Sequence, residues 1–527
     1  LTWLNENTFN FNKTFNSRHS INAVAGFTLQ QFQNEKVFLY AFDFPDNRTG
    51  YHNIAAGLKP QKPSNSESAW SMVSYLGRIN YTLDDKYLFT VTGRVDGSSK
   101  FSEGRKYGFF PSAAFAWRVS SEDFMRGINA INDLKFRVSY GVIGNQAIPP
   151  YGSLALVGPY GEGVFNSANG SEVYTGNEPI SFANNRLKWE STKQFDVGFD
   201  LALLKSRINL TVDYYKKKTY DLLLSTPIPL TTGFTTTLLN IGNIENHGID
   251  IDLRTKNLTG KLEWTSGLNF SINRNRVTNL NSETDIPLGI GGLILRQGEP
   301  IGTFFGYQFD GIYQSDEEAA SGPLLFNSPT HSRAGDRKYR DTNKDGIVDV
   351  DDRQIIGNAN PKFTAGLTNS LYFHNLELSF FFQGSYGNYI ANLNNLDLLN
   401  FNGQNNVLAE AGLDRWTPEN HSNKYPRALA AGSNDQGVLS TAIIEDASYL
   451  RLKNVTLGYN LPSKVVSKVK MSNLRIYASA TNLWTLTNYS GYDPEANTYG
   501  QSTTLIGIDL GGYPQSKVFQ IGLSASF

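Results

Sequence analysis

The sequence contains no cysteine, so no disulfide stabilises the fold, and backbone hydrogen bonds and side-chain packing must do so. It also lacks any run of about 18 apolar residues, the length that a membrane-spanning helix requires. Charged residues are few, at 18%, and the net charge is −1, which gives no electrostatic reason to expect nucleic acid as a partner. The first residues, LTWLNENTFNF, do not resemble a signal peptide. These absences argue against a disulfide scaffold, a helical membrane protein and a basic nucleic-acid-binding domain.

The sequence is instead rich in aromatic residues, with 27 Tyr and 33 Phe, and its hydrophobic pattern has a period of two. In the segment 519–527 every second residue is apolar, and the residues between are Gln, Gly or Ser. Because successive side chains of a strand point to opposite faces, this pattern predicts a strand with one apolar and one polar face. The same alternation recurs in the segments 89–96, 134–142, 194–201, 208–214, 262–272, 376–382 and 474–480.

The alternating segments predict an all-β protein, a transmembrane antiparallel β-barrel of which this chain supplies about 15 or 16 strands. The predicted connections alternate in length, and barrels of this kind have short periplasmic turns and long extracellular loops. The short connections are 82–86, 203–207, 255–261 and 373–375. The long connections are 31–70, 144–190, 216–245, 274–301, 310–361, 387–447 and 485–515. We expect these long loops to be irregular and to carry the binding sites.

Soluble β-sandwiches are the alternative fold, because they also expose one polar face and bury one apolar face. Two features favour the barrel. Asp, Arg and Lys lie on the polar faces opposite aromatic rows, and Tyr or Trp often falls near a strand end. A water-filled lumen, a lipid-facing wall and aromatic girdles at the two membrane interfaces would produce this pattern.

Five stretches resemble, in the same order, the SusC/RagA family of TonB-linked outer-membrane transporters. They are LKWESTKQFDVGFDLALLKSRINLTVDYYKKKTYDLL (187–223), IGNIENHGIDIDL (241–253), GDRKYRDTNKDGIVDVDDRQIIGNANPKFTAGLTN (335–369), SYLRLKNVTLGYNLP (448–462) and LRIYASATNLWTLTNYSGYDPE (474–495). With their flanks they cover most of residues 70–527. Alternation alone would not produce such ordered blocks, so we interpret the chain as similar to this family over most of its length.

The resemblance implies properties that composition and spacing do not show. Such transporters have a barrel of about 22 strands filled by an N-terminal plug domain. They import large nutrients such as oligosaccharides or peptides with energy passed through TonB, and a SusD-like surface lipoprotein usually forms a lid. Residues 1–527 would then be the C-terminal portion of such a barrel, embedded in outer-membrane lipid of a Gram-negative bacterium, with the plug domain and first strands absent.

The segment DTNKDGIVDVDD (341–352) matches the template of a calcium-binding loop. The candidate metal-binding residues are Asp341, Asn343, Asp345, Ile347 through its carbonyl, Asp349 and Asp352, with Gly346 at the sharp turn. Asp352 stands where a longer Glu normally binds Ca²⁺ with both oxygens, which would weaken the site. The alternative is a turn whose carboxylates cap backbone groups without metal. If Ca²⁺ binds, its expected role is to stiffen an extracellular loop.

No motif in the sequence predicts an enzyme. The six His residues lack the spacing of a metal site, and no G-x-S-x-G nucleophile turn occurs. Asp250 and Asp252 are expected to line the lumen or contact a plug. The charges expected to hold a plug or line the transport path are Arg94, Arg137, Asp196 and Asp213. Aromatic residues that could bind sugar or peptide, or else only pack within loops, are Tyr151, Tyr160, Phe165, Tyr174, Trp484, Tyr489 and Tyr492.

Three functions compete at this stage. The leading one is TonB-dependent import, the second is a passive porin or structural barrel, and the third is a soluble, calcium-dependent carbohydrate-binding array. A plug would distinguish the first from the second, and extraction without detergent would support the third.

Overall fold

The computed structural model describes residues 1–48, 50–167, 170–280, 284–326, 328–399, 401, 406–429, 438–500 and 502–527. Its main element is an antiparallel sheet of 15 strands, in which spatial order follows chain order from first to last. The strands are β1 (Thr2–Phe15), β2 (His19–Phe38), β3 (Ser64–Leu83), β4 (Tyr87–Ser98), β5 (Tyr107–Arg118), β6 (Ile131–Asn145), β7 (Glu190–Leu203), β8 (Ile208–Tyr220), β9 (Asn243–Thr259), β10 (Leu262–Asn279), β11 (Phe363–Phe373), β12 (Leu376–Tyr386), β13 (Tyr449–Asn460), β14 (Asn473–Thr487) and β15 (Val518–Ser526). The all-β prediction and the expected strand number are confirmed.

The predicted alternation appears as rows of side chains that run across neighbouring strands. One row on β11 to β15 is wholly apolar: Leu371, Leu378, Leu457, Ala478 and Ile521. The adjacent row points to the other face and is wholly polar: Ser370, Ser379, Thr456, Ser479 and Gln520. The apolar row is not covered by protein, since Leu457 is 49% and Ile521 85% exposed. Exposed apolar rows on a sheet this large are typical of a wall that faces lipid.

Connections between the strands alternate in length, as predicted. The tight turns lie at 16–18, 84–86, 204–207, 260–261 and 374–375, and somewhat longer ones lie at 119–130 and 461–472. At the tight turn between β3 and β4, Asp84 and Asp85 have φ of 52° and 54°. Two successive left-handed residues are the geometry of a type I′ turn, whose twist matches that of the flanking strands. Because neighbouring strands are antiparallel, each of the other connections lies at the opposite end of the strands that it joins.

The long connections are 39–63, 146–189, 221–242, 280–362, 387–448 and 488–517, with a shorter one at 99–106. The expectation that they are irregular is wrong, because they contain regular elements. Their helices are Asp316–Ser321, Asn394–Leu398 and Ala409–Leu413, and Ser463–Val466 lies in the connection 461–472. Short strands are Ala41–Phe42, Lys59–Pro60, Val157–Ser167, Gly170–Pro179, Leu223–Pro227, Thr236–Asn240, Ile286–Pro287, Leu293–Leu295, Thr303–Gly306, Phe309–Ile312, Leu324–Leu325, Arg337–Tyr339, Ile347–Val348, Gln354–Asn358, Tyr389–Asn392, Ile444–Asp446 and Ile508–Asp509. Of the helices in the described residues, none is long and apolar enough to cross a membrane.

The chain divides into two compact units, each with a core built by its long connections. The first unit comprises Leu1–Arg118, Arg137–Asp196 and Lys217–Asn243. Its core centres on Trp189, which packs against Phe101 and Phe110 at ring distances of 5.1 and 5.4 Å. The second unit comprises Val119–Phe136, Val197–Lys216 and Ile244–Phe527. Its main core joins three long connections through Leu293, Phe304, Ala391, Leu393, Ile443, Ile444 and Ile508.

Candidate functional site

The polar face of the first unit carries a hydrogen-bonded ladder of three amides and one hydroxyl across four strands. Asn22 of β2 donates to Asn12 of β1, and Asn80 of β3 donates to Asn22 over 3.0 Å. Thr90 of β4 continues the ladder by donating to Asn80 over 2.9 Å. Such groups remain hydrated on one side and keep donors and acceptors available, so this face can bind polar ligands or a polar protein surface.

The polar face of the second unit is acidic. Asp250 accepts from Ser271 over 2.5 Å and Asp252 from Asn269 over 2.7 Å, each across the β9–β10 pair. Together with Asp213 of β8 they line a hollow of about 450 Å³. The structure therefore brings together three carboxylates that the sequence placed on the polar face, in a hollow that both polar and apolar residues line, Thr364 and Phe381 among them. This arrangement suits noncovalent contact with a cationic or hydroxyl-rich group.

The other charges predicted on the polar face already have partners. Arg94 binds Asp96 over 2.7 Å and also donates to Ser74. Asp196 accepts from Gln194 over 2.8 Å and from Ser139 over 3.3 Å. Arg137 is also engaged in an interaction. Their proposed role in holding a plug stays a prediction.

A buried charge network, which the sequence did not predict, attaches the connection 488–517 to the sheet. Arg451 of β13 is 2% exposed and binds Asp493 over 2.7 Å and Glu495 over 2.5 Å. Glu495 also accepts from Tyr449 over 2.8 Å and Gln383 over 3.1 Å. The sequence offered two signals for this network, which are an arginine within an alternating strand and the acidic pair of the sequence YDPE. Their partnership could not be read from the sequence, because more than 40 residues separate them.

The predicted calcium loop is a compact turn in which carboxylates accept from backbone N–H groups. Asp341 accepts from Lys344 over 2.6 Å and from Gly346 over 2.9 Å, and Gly346 has φ of 91°. Asp352 is 1% exposed and accepts from Thr342 over 2.6 Å and Asp349 over 2.8 Å. Further carboxylate–backbone bonds link Asp345 with Ile347 and Asp349 with Asp351, and the amide of Asn343 accepts from Asp345.

These bonds are the capping arrangement that was the alternative to metal binding. Among the described residues no three His, Cys, Asp or Glu side chains converge closely enough to hold a metal ion. Each carboxylate oxygen nevertheless has two lone pairs, so one backbone hydrogen bond leaves a position for a cation. Calcium binding would require the loop carboxylates to converge.

The aromatic residues proposed as ligand contacts separate into buried and exposed ones. Tyr489 is 5% exposed and donates to Asp509 over 2.7 Å, so it packs within the loops. Burial and that carboxylate raise the pKa of Tyr489 well above its usual range. Tyr151 accepts from the backbone of Ala69 over 3.1 Å. Trp484 and Tyr492 are 46% and 81% exposed. The side chains of Tyr160, Phe165 and Tyr174 lie outside the described residues.

Comparison with known proteins identifies related sequences. The family model "TonB dependent receptor-like, beta-barrel" matches residues 2–483. TonB-dependent receptor P3 of Formosa agariphila is 36% identical over 540 residues, covering 99% of this chain and 52% of that protein. TonB-dependent receptor SusC of Bacteroides thetaiotaomicron is 31% identical over 473 residues, covering 87% of this chain and 44% of that protein. The chain thus spans about half the length of the curated relatives it matches.

Solved structures show the same fold. A structure of the RagAB peptide transporter aligns with all of this chain and with 55% of its own chain, at a TM-score of 0.81 and 24% identity. At this identity the likeness establishes the arrangement of strands and says nothing of the ligand.

Proposed function

Because this chain belongs to the TonB-dependent receptor-like β-barrel family and resembles SusC, we propose that it forms part of the barrel of an energy-coupled importer. Proteins of this family are outer-membrane receptors and transporters of Gram-negative bacteria, not enzymes. The observation that carries the proposal is the division of one sheet into exposed apolar rows and polar rows. Such a wall separates lipid from a hydrophilic path, and folded connections lie at one end of it.

We propose large, polar nutrients, oligosaccharides or peptides, as the substrates, with a SusD-like surface lipoprotein and TonB as partners. The acidic hollow at Asp213, Asp250 and Asp252 and the amide ladder around Asn80 would offer hydrogen bonds to such molecules. Support also comes from a relative, which is named SusC. Binding from outside would lie at the end of the sheet that carries the long connections, and the ladder around Asn80, which lies beside the tight turns, would contact the substrate later on its path.

Uptake by intact cells tests the proposal. Cells with and without the full-length gene would receive fluorescent oligosaccharide and peptide mixtures, with and without a protonophore that collapses the energy supply to TonB. Energy-coupled import predicts uptake that needs both the gene and the proton gradient. Gene-dependent uptake that persists with the protonophore would instead establish a passive porin. Affinity purification of the full-length protein from native membranes tests the partners, and the expected co-purifying protein is a surface lipoprotein.

We also propose that the loop 341–352 binds Ca²⁺ through Asp341, Asn343, Asp345, Asp349, Asp352 and the carbonyl of Ile347. The support is the ligand spacing and the left-handed Gly346. The full-length protein should then unfold at a higher temperature in millimolar Ca²⁺ than in chelator, and Asp341→Ala and Asp345→Ala should abolish the difference. Equal unfolding temperatures of the wild type in both buffers would leave backbone capping as the loop's function.

A further inference from the structure

The apolar face of the second unit contains a groove of about 600 Å³ near the ends of β11 to β14. Its floor is formed where small residues meet, because Ala365 of β11 pairs with Gly384 of β12. One wall is the stacked pair Phe363 and Tyr386, with ring centroids 5.3 Å apart. The other wall is formed by Leu450 and Leu486, which pair across β13 and β14 and are 42% and 60% exposed.

The groove lies on the face that meets the membrane. Strand register places its floor on the same face as the apolar row of Leu371, Leu378 and Leu457. Because this family's barrels lie in the outer membrane, that face contacts lipid acyl chains. Phe363 begins β11 after the long connection 280–362, and Tyr386 ends β12 before the connection 387–448. The groove is therefore at the extracellular end of the wall, at the level of the outer-leaflet headgroups.

Two cations mark the upper end of the groove. Lys362 precedes Phe363, and its ammonium lies 6.0 Å from the centre of the Tyr386 ring. Arg274 of β10 donates from Nη1 to the carbonyl oxygen of Lys362 over 2.9 Å. Both side chains are exposed. Arg274 also donates to the backbone carbonyls of Asn273 and Pro361, so its contacts here are neutral ones, as is the contact of Lys362 with the Tyr386 ring. Arg and Lys in this position can bind a phosphate oxygen.

We propose that this groove binds one phosphate-bearing lipid of the outer leaflet, with an acyl chain between the two walls and a headgroup phosphate on Lys362 and Arg274. Apolar contact alone gives little preference among lipids, because every acyl chain is as apolar as the groove. The concave floor adds van der Waals contacts, and the two cations select for a phosphorylated headgroup. Each cation contributes about 1 kcal/mol to the free energy of lipid binding, so the loss of both weakens the affinity about thirtyfold.

Lipid retention by the full-length protein in nanodiscs tests this site. Native mass spectrometry would measure occupancy by lipid A with its phosphates and by the same lipid after their enzymatic removal. Wild-type protein should retain the phosphorylated form preferentially. Lys362→Ala with Arg274→Ala should weaken its retention about thirtyfold and leave the dephosphorylated form unchanged. Lys362→Arg should bind as the wild type does, and Lys362→Ala alone, which keeps the Arg274 contacts to the backbone, should give an intermediate loss.

A second variant tests the groove itself. Ala365→Phe fills the floor and should reduce retention of both lipid forms. Ala478→Phe makes the same change on the same apolar face away from the groove and should have no effect. The proposal would be overturned if the wild type retained the two lipid forms equally, or if the double variant retained the phosphorylated form as well as the wild type does. Either result would show that the groove holds only bulk membrane lipid. The proposal would also be overturned if the wild type retained an unphosphorylated molecule instead of the phosphorylated lipid. None of these readouts depends on import, so the proposed transport function can fail or hold independently.

Discussion

The guanidinium of Arg451 is buried against two carboxylates, with side-chain exposures of 3% for Arg451, 6% for Asp493 and 28% for Glu495. Because these groups are buried, removing one of them should strongly destabilise the protein, since its partner then remains as an uncompensated buried charge. The network also attaches the connection 488–517 to β13, so its loss would free that segment.

Arg451→Ala should therefore lower the free energy of unfolding by about 3–5 kcal/mol and speed proteolysis within 488–517. Urea unfolding of the full-length protein in detergent, with mass-spectrometric mapping of cleavage sites, measures both effects. Arg18→Ala is the matched control, because Arg18 also pairs with an aspartate, Asp84, but its side chain is 65% exposed. That variant should change stability very little. Equal losses in the two variants would contradict the assigned importance of burial.

Tyr313 gives a prediction about pH. Its side chain is 1% exposed, and its hydroxyl has no hydrogen-bond partner among the described residues. Burial, with Glu318 and Asp336 nearby, raises the pKa of Tyr313 to about 12. An unfolded tyrosine has a pKa of about 10, so above that pH the unfolded chain releases the proton first. The stability contributed by the neutral form is thus fully present below pH ~10 and is lost as pH rises toward 12.

Tyr313→Phe should flatten the decline in unfolding temperature between pH ~10 and ~12 and should leave stability at pH 7 unchanged or slightly higher. Thermal unfolding of the full-length protein across that range checks the effect. Tyr492→Phe serves as the control, since Tyr492 is 81% exposed and no change in the curve is expected. If the unfolding temperature of Tyr313→Phe fell as steeply with pH as that of the wild type, groups other than Tyr313 would cause the loss of stability at high pH.

At the scale of elements, the tight turn between β3 and β4 depends on backbone conformation. Asp85 has φ of 54°, a region that Asp and Asn tolerate and β-branched residues avoid. Asp85→Val should destabilise the protein by about 1 kcal/mol or more, whereas Asp85→Gly should be neutral or stabilising. Urea titrations of both variants measure the difference. The result would contradict the assigned turn if valine were tolerated as well as glycine.

At the scale of the whole molecule, the assignment of the two faces can be tested with adjacent residues of one strand. Leu457 belongs to the apolar row and Thr456 to the polar row of β13. Leu457→Lys should destabilise the protein by about 2 kcal/mol in liposomes, because it places a charge in lipid. Thr456→Lys points toward water and should be tolerated. In a soluble sheet the exposed Leu457 would accept lysine without loss, so equal stabilities would refute the membrane assignment.

The sequence by itself determined the strands, their two faces and the alternation of short and long connections. These features are local, because side chains alternate at every residue of a strand and turn residues such as Asp84 and Asp85 act on their own backbone. The ordered blocks also identified the family, which the matching family model confirms.

Only the tertiary structure decided how the long connections fold and what their residues do. Arg451 finds Asp493, Trp189 packs on Phe101, and the lipid-facing groove combines four strands. The loop 341–352 fitted two interpretations in sequence, and its carboxylates were seen to cap backbone groups only in three dimensions. For the first three the physical reason is distance along the chain, because these contacts join residues whose separation leaves no periodic trace in the sequence. The bonds of the loop are local, but the same carboxylates can cap backbone groups or bind a cation, so only their geometry distinguishes the two.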